Sequence, residues 1–149
     1  MSMSMKTIMV DFDGVLHPTS ASAEQLFCRL PLLEMALSGY ECGIVISSSW
    51  RHQYDIAQLV QHFPVSLRGS VVGATGSPHI GKWPRYHEIL DYCQRHGIQE
   101  WRALDDSFLE FPSPCKELIL CNPNIGIAPP QVNALEQWLR QIRRVPAQA

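Results

Sequence analysis

Short apolar runs alternate with amphipathic stretches along the chain. Lys6 to Val10 and Cys42 to Ile46 read as strands, the second through its β-branched Ile-Val-Ile run. Between them Pro31 suits the first position of a helix and Gly39 the position just past its end, with Leu33 and Leu37 on one face. A helix from Tyr54 to His62, a short Val71-Val72 strand and a longer helix from Pro84 to His96, closed by Gly97, follow. Trp101 to Leu104 and Leu118 to Cys121 read as strands, and Val132, Leu135, Leu139 and Ile142 mark the apolar face of a last helix. This order, mostly β-α-β-α-β, predicts an α/β fold: a doubly wound, mostly parallel sheet with helices on both faces. Such sheets bind ligands outside the carboxyl ends of their strands, near the point where strand order reverses. The residues just after each predicted strand are Asp11, Asp13, Ser47, Ser48, Asp105, Asp106 and Asn122, nearly all small and polar.

Composition narrows the class. A chain of 149 residues, 46% hydrophobic and 17% charged, is the size and make-up of one globular domain, with residues 1–5 and 144–149 read as flexible ends. A net charge of −2 gives no global basic footprint for nucleic acid or anionic membrane, so a polyanionic partner must bind a local patch. The five cysteines, at 28, 42, 93, 115 and 121, are odd in number and form no CxxC pair, which points to reduced, mostly buried thiols. No apolar run approaches the roughly 18 residues of a membrane span, and the expectation is a cytoplasmic protein.

The stretch MVDFDGVLHPTS places Asp11 and Asp13 where the first strand ends, and Gly14 follows at once. Taken alone, Asp13-Gly14 is an ordinary turn. Together with Asp105 and Asp106, these acids converge on one sheet edge and repel one another unless a hard cation sits among them; carboxylates are the ligands Mg²⁺ selects. The hydroxyls of ISSSW and the ammonium of Lys82 in GKWPR add donors beside that cation site, an arrangement into which phosphate fits.

With these residues in place, the chain resembles the haloacid dehalogenase (HAD) superfamily of phosphotransferases. MVDFDGVL is similar to its first motif, GIVISSSW to the second and RALDDS to the fourth; the third, a basic residue at a helix start, is matched by Lys82 or Arg85. SSSWR, RYHEI, LDDS and CNPNIGI are further similar to a compact HAD group associated with RNA-repair proteins, in which Arg85 suits the third motif better; Asn122 and Asn124 stand where relatives often carry an acid. The resemblance implies Asp11 as nucleophile, Asp13 as acid and then base, Ser47 on the phosphoryl group and Lys82 offsetting its charge. It implies Mg²⁺ held among Asp11, Asp13, Asp105 and Asp106, with Ser48, Arg51 and Arg85 as substrate-binding candidates.

Plainer readings stand beside these. Ser47 to Ser49 suit a helix-capping loop, Lys82 a solvated surface lysine, and Trp50-Arg51 a half-buried indole beside a solvent-facing guanidinium. His17 reads as a neighbour of the motif, and the other histidines as surface or packing residues. The gaps from Pro18 to Glu41 and from Trp50 to Gly81 are too short for the cap domains of the superfamily, so the site is expected to be open. An open site suits macromolecular phosphates, a nucleic-acid end or a phosphoprotein, or closure by a second subunit in a homodimer. The alternatives are a receiver-like phosphoacceptor and a non-catalytic metal-binding module.

Overall fold

A computed structural model describes residues 5–141. Five strands, β1 (Thr7–Val10), β2 (Gly43–Ile46), β3 (Val71–Ala74), β4 (Trp101–Asp105) and β5 (Leu118–Leu120), pair in parallel in the order β3-β2-β1-β4-β5. Five helices accompany them: α1 (Leu30–Leu37), α2 (Ile56–Val60), α3 (Val65–Arg68), α4 (Pro84–His96) and α5 (Pro129–Arg140). The chain builds outward from β1 to β2 and β3, then returns to lay β4 on the other side of β1. Strand order therefore reverses beside β1, and the crevice at that reversal opens where Asp11 leaves the strand.

The pleat sorts side chains to two faces. Ile8, Val10, Ile44, Ile46 and Leu104 turn to the core shared with α1 and α5, where Leu33, Leu37, Leu135 and Trp138 meet them. Met9, Val45 and Ala103 turn to the other face and pack against Ile89, Tyr92 and Cys93 of α4. A sheet covered on both sides explains why its strands read as continuous apolar runs rather than alternating ones.

The doubly wound α/β expectation holds, with local differences. The helix expected over Tyr54–His62 is only Ile56–Val60, because Asp55 caps it: its Oδ1 accepts from the Gln58 N–H at 2.8 Å and Gln58 Oε1 accepts from the Asp55 N–H at 2.9 Å. Helix α3, four residues long, is too short to show a period. Strand β3 runs on to Ala74. The expected apolar face of the last helix is present in Val132, Leu135 and Leu139, while Ile142 and nearly all of both expected flexible ends lie outside the described residues. The five cysteines are all free; burial pushes the thiols of Cys42 and Cys121 up to about 12 and leaves them inert. Among the described residues no helix is long and apolar enough to cross a membrane.

Phe12, fully buried, joins the edge of β1 to an aromatic cluster, with ring centres 5.3 Å from Phe27, 5.4 Å from Trp50 and 6.1 Å from Phe63. Phe12→Ala empties that junction and should cost about 3–5 kcal/mol in urea unfolding. A loss below about 1 kcal/mol would mean the cluster does not anchor the loop between the two aspartates.

Candidate active site

One register level carries the site. Val10 pairs with Ile46 and with Leu104, and Ile46 pairs with Ala74. The residues one step beyond are Asp105, Asp11, Ser47 and Thr75, a row of four polar side chains across four strands. Backbone bonds hold the row in register: the Asp11 N–H donates to Leu104 O at 3.1 Å, Ser47 to Val10 O at 3.0 Å and Thr75 to Ile46 O at 3.0 Å. Each follows a residue on the α1/α5 face, so the pleat turns the row toward α4.

Helix α4 meets it with Arg85. Its Nη1 donates to Asp105 Oδ2 at 2.9 Å and lies 3.5 Å from Asp11 Oδ1; Glu110 and Glu88 stand at 3.8 and 3.9 Å from its other nitrogens. Asp11, Asp105 and Asp106 present carboxylate oxygens within 4.8 Å of one another. Asp106 is seated by Gly14: a Cβ there would overlap the Asp106 carboxylate, and the φ of +80° at Gly14 is one that side chains resist.

One guanidinium does not offset this much acid in a buried place. Burial, and then the neighbouring Asp105, raise the Asp11 carboxyl well above the ordinary range despite Arg85. Burial pushes Asp105 up to about 6, outweighing the ion pair with Arg85. An all-oxygen donor set with unspent negative charge fits a hard divalent cation such as Mg²⁺.

Asp13 is held apart from that cluster. Its Oδ1 accepts from His17 Nε2 at 2.8 Å and its Oδ2 from Trp50 Nε1 at 3.0 Å. The Phe27 N–H donates to His17 Nδ1 at 3.2 Å, so Nδ1 is bare and Nε2 carries the proton given to Asp13. Phe27 makes that bond from a left-handed backbone, φ 61°, so local strain sits where the partner of Asp13 is fixed. Each carboxylate oxygen keeps a second lone pair for a proton.

The structure brings together Asp11, Ser47, Asp105, Asp106 and Arg85 and places the other candidates apart from that group. The side chain of Asp13 is not among the clustered metal donors; it is turned to His17 and Trp50 instead. Lys82 does not reach the carboxylates: Trp83, left-handed at φ 52°, and Pro84 start the helix after it, and its Nζ lies 5.6 Å from the Trp83 ring centre. Arg85 stands where the positive charge was expected of it. Ser48 is fully buried and caps a 3₁₀ turn, its Oγ accepting from the Trp50 N–H at 3.3 Å, so the capping reading suits Ser48 and not Ser47. The Arg51 side chain is turned inward rather than to solvent. Four of its five donors go to protein: Nε to Gly76 O, Nη1 to Ser47 O and Ser48 O, and Nη2 to Glu88 Oε1 at 2.7 Å.

His17, Trp50, Glu88 and Thr75 were not among the expected site residues. The i, i+4 spacing of Asp13 and His17 was the available signal for the first. In the CNPNIGI segment, Asn122 Oδ1 accepts from the Asn124 N–H at 2.9 Å, and the Ile127 N–H donates to Val15 O at 2.7 Å, bracing the loop that carries Asp13. Buried hydroxyls without partners cost roughly 1–3 kcal/mol each, and the Oγ of Ser47 and Oγ1 of Thr75 are two such atoms on neighbouring strands.

A family model described as the HAD domain in Swiss Army Knife RNA repair proteins matches residues 7–132. The chain belongs to this family. The match takes in every strand of the HAD sheet and the whole acid-lined edge. No curated protein and no solved structure matches the chain. Among the described residues no cap stands over the HAD edge: one 3₁₀ turn, Ala23–Gln25, separates β1 from α1, and a 3₁₀ turn with two short helices separates β2 from β3.

The raised carboxyls set a pH test. They keep protons in the fold at pH values where the unfolded chain, with carboxyls near about 3.9, has released them. The metal-free fold therefore loses stability as pH rises from about 4 through about 6. Mg²⁺ needs the ionised forms, so it should raise Tm markedly at about pH 7.5 and much less at about pH 5. Equal shifts at both values, or none, would contradict a cation site at these acids.

Proposed function

We propose that the protein is a Mg²⁺-dependent phosphatase that removes terminal phosphate from nucleic-acid ends through an aspartyl-phosphate on Asp11. The observation that carries this reading is the pairing of two separated carboxylate environments at one strand end: Asp11 among Asp105, Asp106 and Arg85, and Asp13 between His17 and Trp50. When bound, the cation would draw charge from the phosphoryl oxygens and keep the Asp11 carboxylate ionised. Asp11 would attack phosphorus in line, with Ser47 donating to a phosphoryl oxygen and Arg85 meeting the charge that develops. Asp13 would give a proton to the leaving oxygen, and in the second step take one from the water that splits the acyl phosphate. The open edge favours a large substrate, and the RNA-repair association of the family favours a nucleic-acid end over a phosphoprotein. Placed so, the protein would act in the cytoplasm.

Purified protein should release phosphate from 3′- or 5′-phosphorylated oligonucleotides with Mg²⁺ and lose that activity in excess chelator. Turnover of phosphopeptides alone would remove the nucleic-acid assignment. Asp11→Asn should abolish turnover. Asp13→Asn should slow esters with poor leaving groups about 10²–10⁴-fold more than p-nitrophenyl phosphate, with a stoichiometric burst of nitrophenol before slow turnover. A long-lived phosphoenzyme in the natural protein, without phosphate release, would instead make it a receiver-like phosphoacceptor.

The two basic residues separate cleanly. Arg85→Ala should lower kcat/KM by more than about tenfold, roughly 1.4 kcal/mol of transition-state stabilisation, whereas Lys82→Ala should stay within about twofold. The reverse order would restore Lys82 as the third-motif residue.

A further inference from the structure

We propose that Thr75 is a second phosphoryl-binding hydroxyl, acting beside Ser47 on the same substrate phosphate. The inference rests on the phosphatase reading and adds to it a residue beyond the four motifs. Thr75 is the first residue after β3, and its backbone is pinned on both sides: its N–H donates to Ile46 O at 3.0 Å, and the next carbonyl, of Gly76, accepts from Arg51 Nε at 3.1 Å. Ser47 stands one strand away at the same level, about 4.8 Å in strand spacing. Both point to the α4 side. Val45, two residues before Ser47, packs there, and a Cβ on Gly73, two residues before Thr75, would overlap the Tyr92 hydroxyl of α4.

Both residues are almost wholly buried, Ser47 at 1% and Thr75 at 5% exposure, and neither hydroxyl has a hydrogen-bond partner among the described residues. A third buried atom without a hydrogen bond, Nε of Arg85, belongs to the guanidinium that pairs with Asp105 in the same row. Folding alone gains nothing from an unpaired buried hydroxyl, and valine would fill the place of Thr75 at equal volume. Two unspent hydroxyls beside a guanidinium whose Nε stands 3.9 Å from Glu88 match what a phosphoryl group offers: several oxygens, all acceptors, carrying negative charge. Ser47 and Thr75, one strand apart, would donate to different oxygens of one tetrahedral phosphate. Thr75 would thereby fix its orientation for attack by Asp11.

Thr75→Val, Thr75→Ala and Thr75→Ser test this in the full chain. The readouts are Tm without ligand, inhibition by inorganic phosphate, and kcat and KM on p-nitrophenyl phosphate. Thr75→Val should leave Tm equal or higher, weaken phosphate inhibition about tenfold and lower kcat/KM to a similar extent. Thr75→Ser should keep natural values for both ligand readouts, and Thr75→Ala should repeat the valine result for phosphate. Natural phosphate inhibition and kcat/KM in both hydroxyl-free variants would overturn the inference and leave the phosphatase reading intact. A lowered Tm with unchanged ligand readouts would make Thr75 a packing residue. Failure of the natural protein to hydrolyse any ester or to bind phosphate would remove the phosphatase reading, and this inference with it.

Discussion

Three carboxylates held together at a buried sheet edge, with one arginine among them, are the constraint on which the rest of the structure turns. In water such acids would drift apart; here the parallel ladder fixes Asp11 and Asp105 on adjacent strands at one level, and they have nowhere to go. Burial raises both carboxyls, and neighbouring acids add to it: Asp105 and Asp106 for Asp11, Asp106 and Glu110 for Asp105. The fold carries this cost because the apolar halves of the same strands are packed on two faces. A site built this way is preorganised for positive charge and for groups that bring it.

The positive residues around the edge divide their work by what they touch. Arg85 puts its guanidinium among the acids, while Arg51 spends its donors on the carbonyls of Ser47, Ser48 and Gly76. Arg51 thereby ties the chain after β2 to the chain after β3, the two segments that present Ser47 and Thr75. Glu88 joins the arginines, accepting from Arg51 at 2.7 Å and from the His79 N–H at 3.1 Å. A neutral residue at Glu88 would leave Arg51 buried without its ion-pair partner, and removing one member of such a pair typically costs about 3–5 kcal/mol. Order at the edge is thus maintained from behind it, by side chains whose hydrogen bonds go to protein.

Where the local pattern decided the outcome, the chain was readable. Asp11, Ser47, Asp105 and Asp106 each follow an apolar run, and a run of that kind ends at the carboxyl edge of a parallel sheet whatever its neighbours do. The helix over Pro84–His96 was readable through Pro84 and Gly97. Which basic residue meets the acids was less so. Lys82 and Arg85 are three apart and share a helical face, and only the left-handed turn at Trp83 puts Lys82 outside the helix. The buried set Arg85, Glu88, Ile89, Tyr92 and Cys93, spaced 3, 1, 3 and 1, carries the phase that selects Arg85 once the start is known. Trp50 and Asp13 lie 37 positions apart, and Thr75 matters only through its register with Ser47; no spacing along the chain encodes either.

The difference in exposure between the two motif aspartates follows from the same turn. The side chain of Asp11 is 10% exposed and that of Asp13 is 46% exposed, although one residue separates them. Phe12 accounts for this: buried on the α1/α5 side, it lets its carbonyl accept from the N–H groups of Val15 and Leu16, and the chain curls so that Asp13 rises toward solvent beside His17 and Trp50. This suits the roles proposed for them: Asp11 as nucleophile would need water kept away until the phosphoryl group arrives, and Asp13 as proton carrier would need to reach the leaving group and admit the water that follows. Among the described residues no cap covers the edge, so Asp11 is shielded by its depth in the sheet, and a bulky leaving group would depart past the exposed side of Asp13. The order buried, core, exposed over Asp11-Phe12-Asp13 would therefore set the direction in which the reaction runs: phosphate held inward by the row, the rest of the substrate left outside.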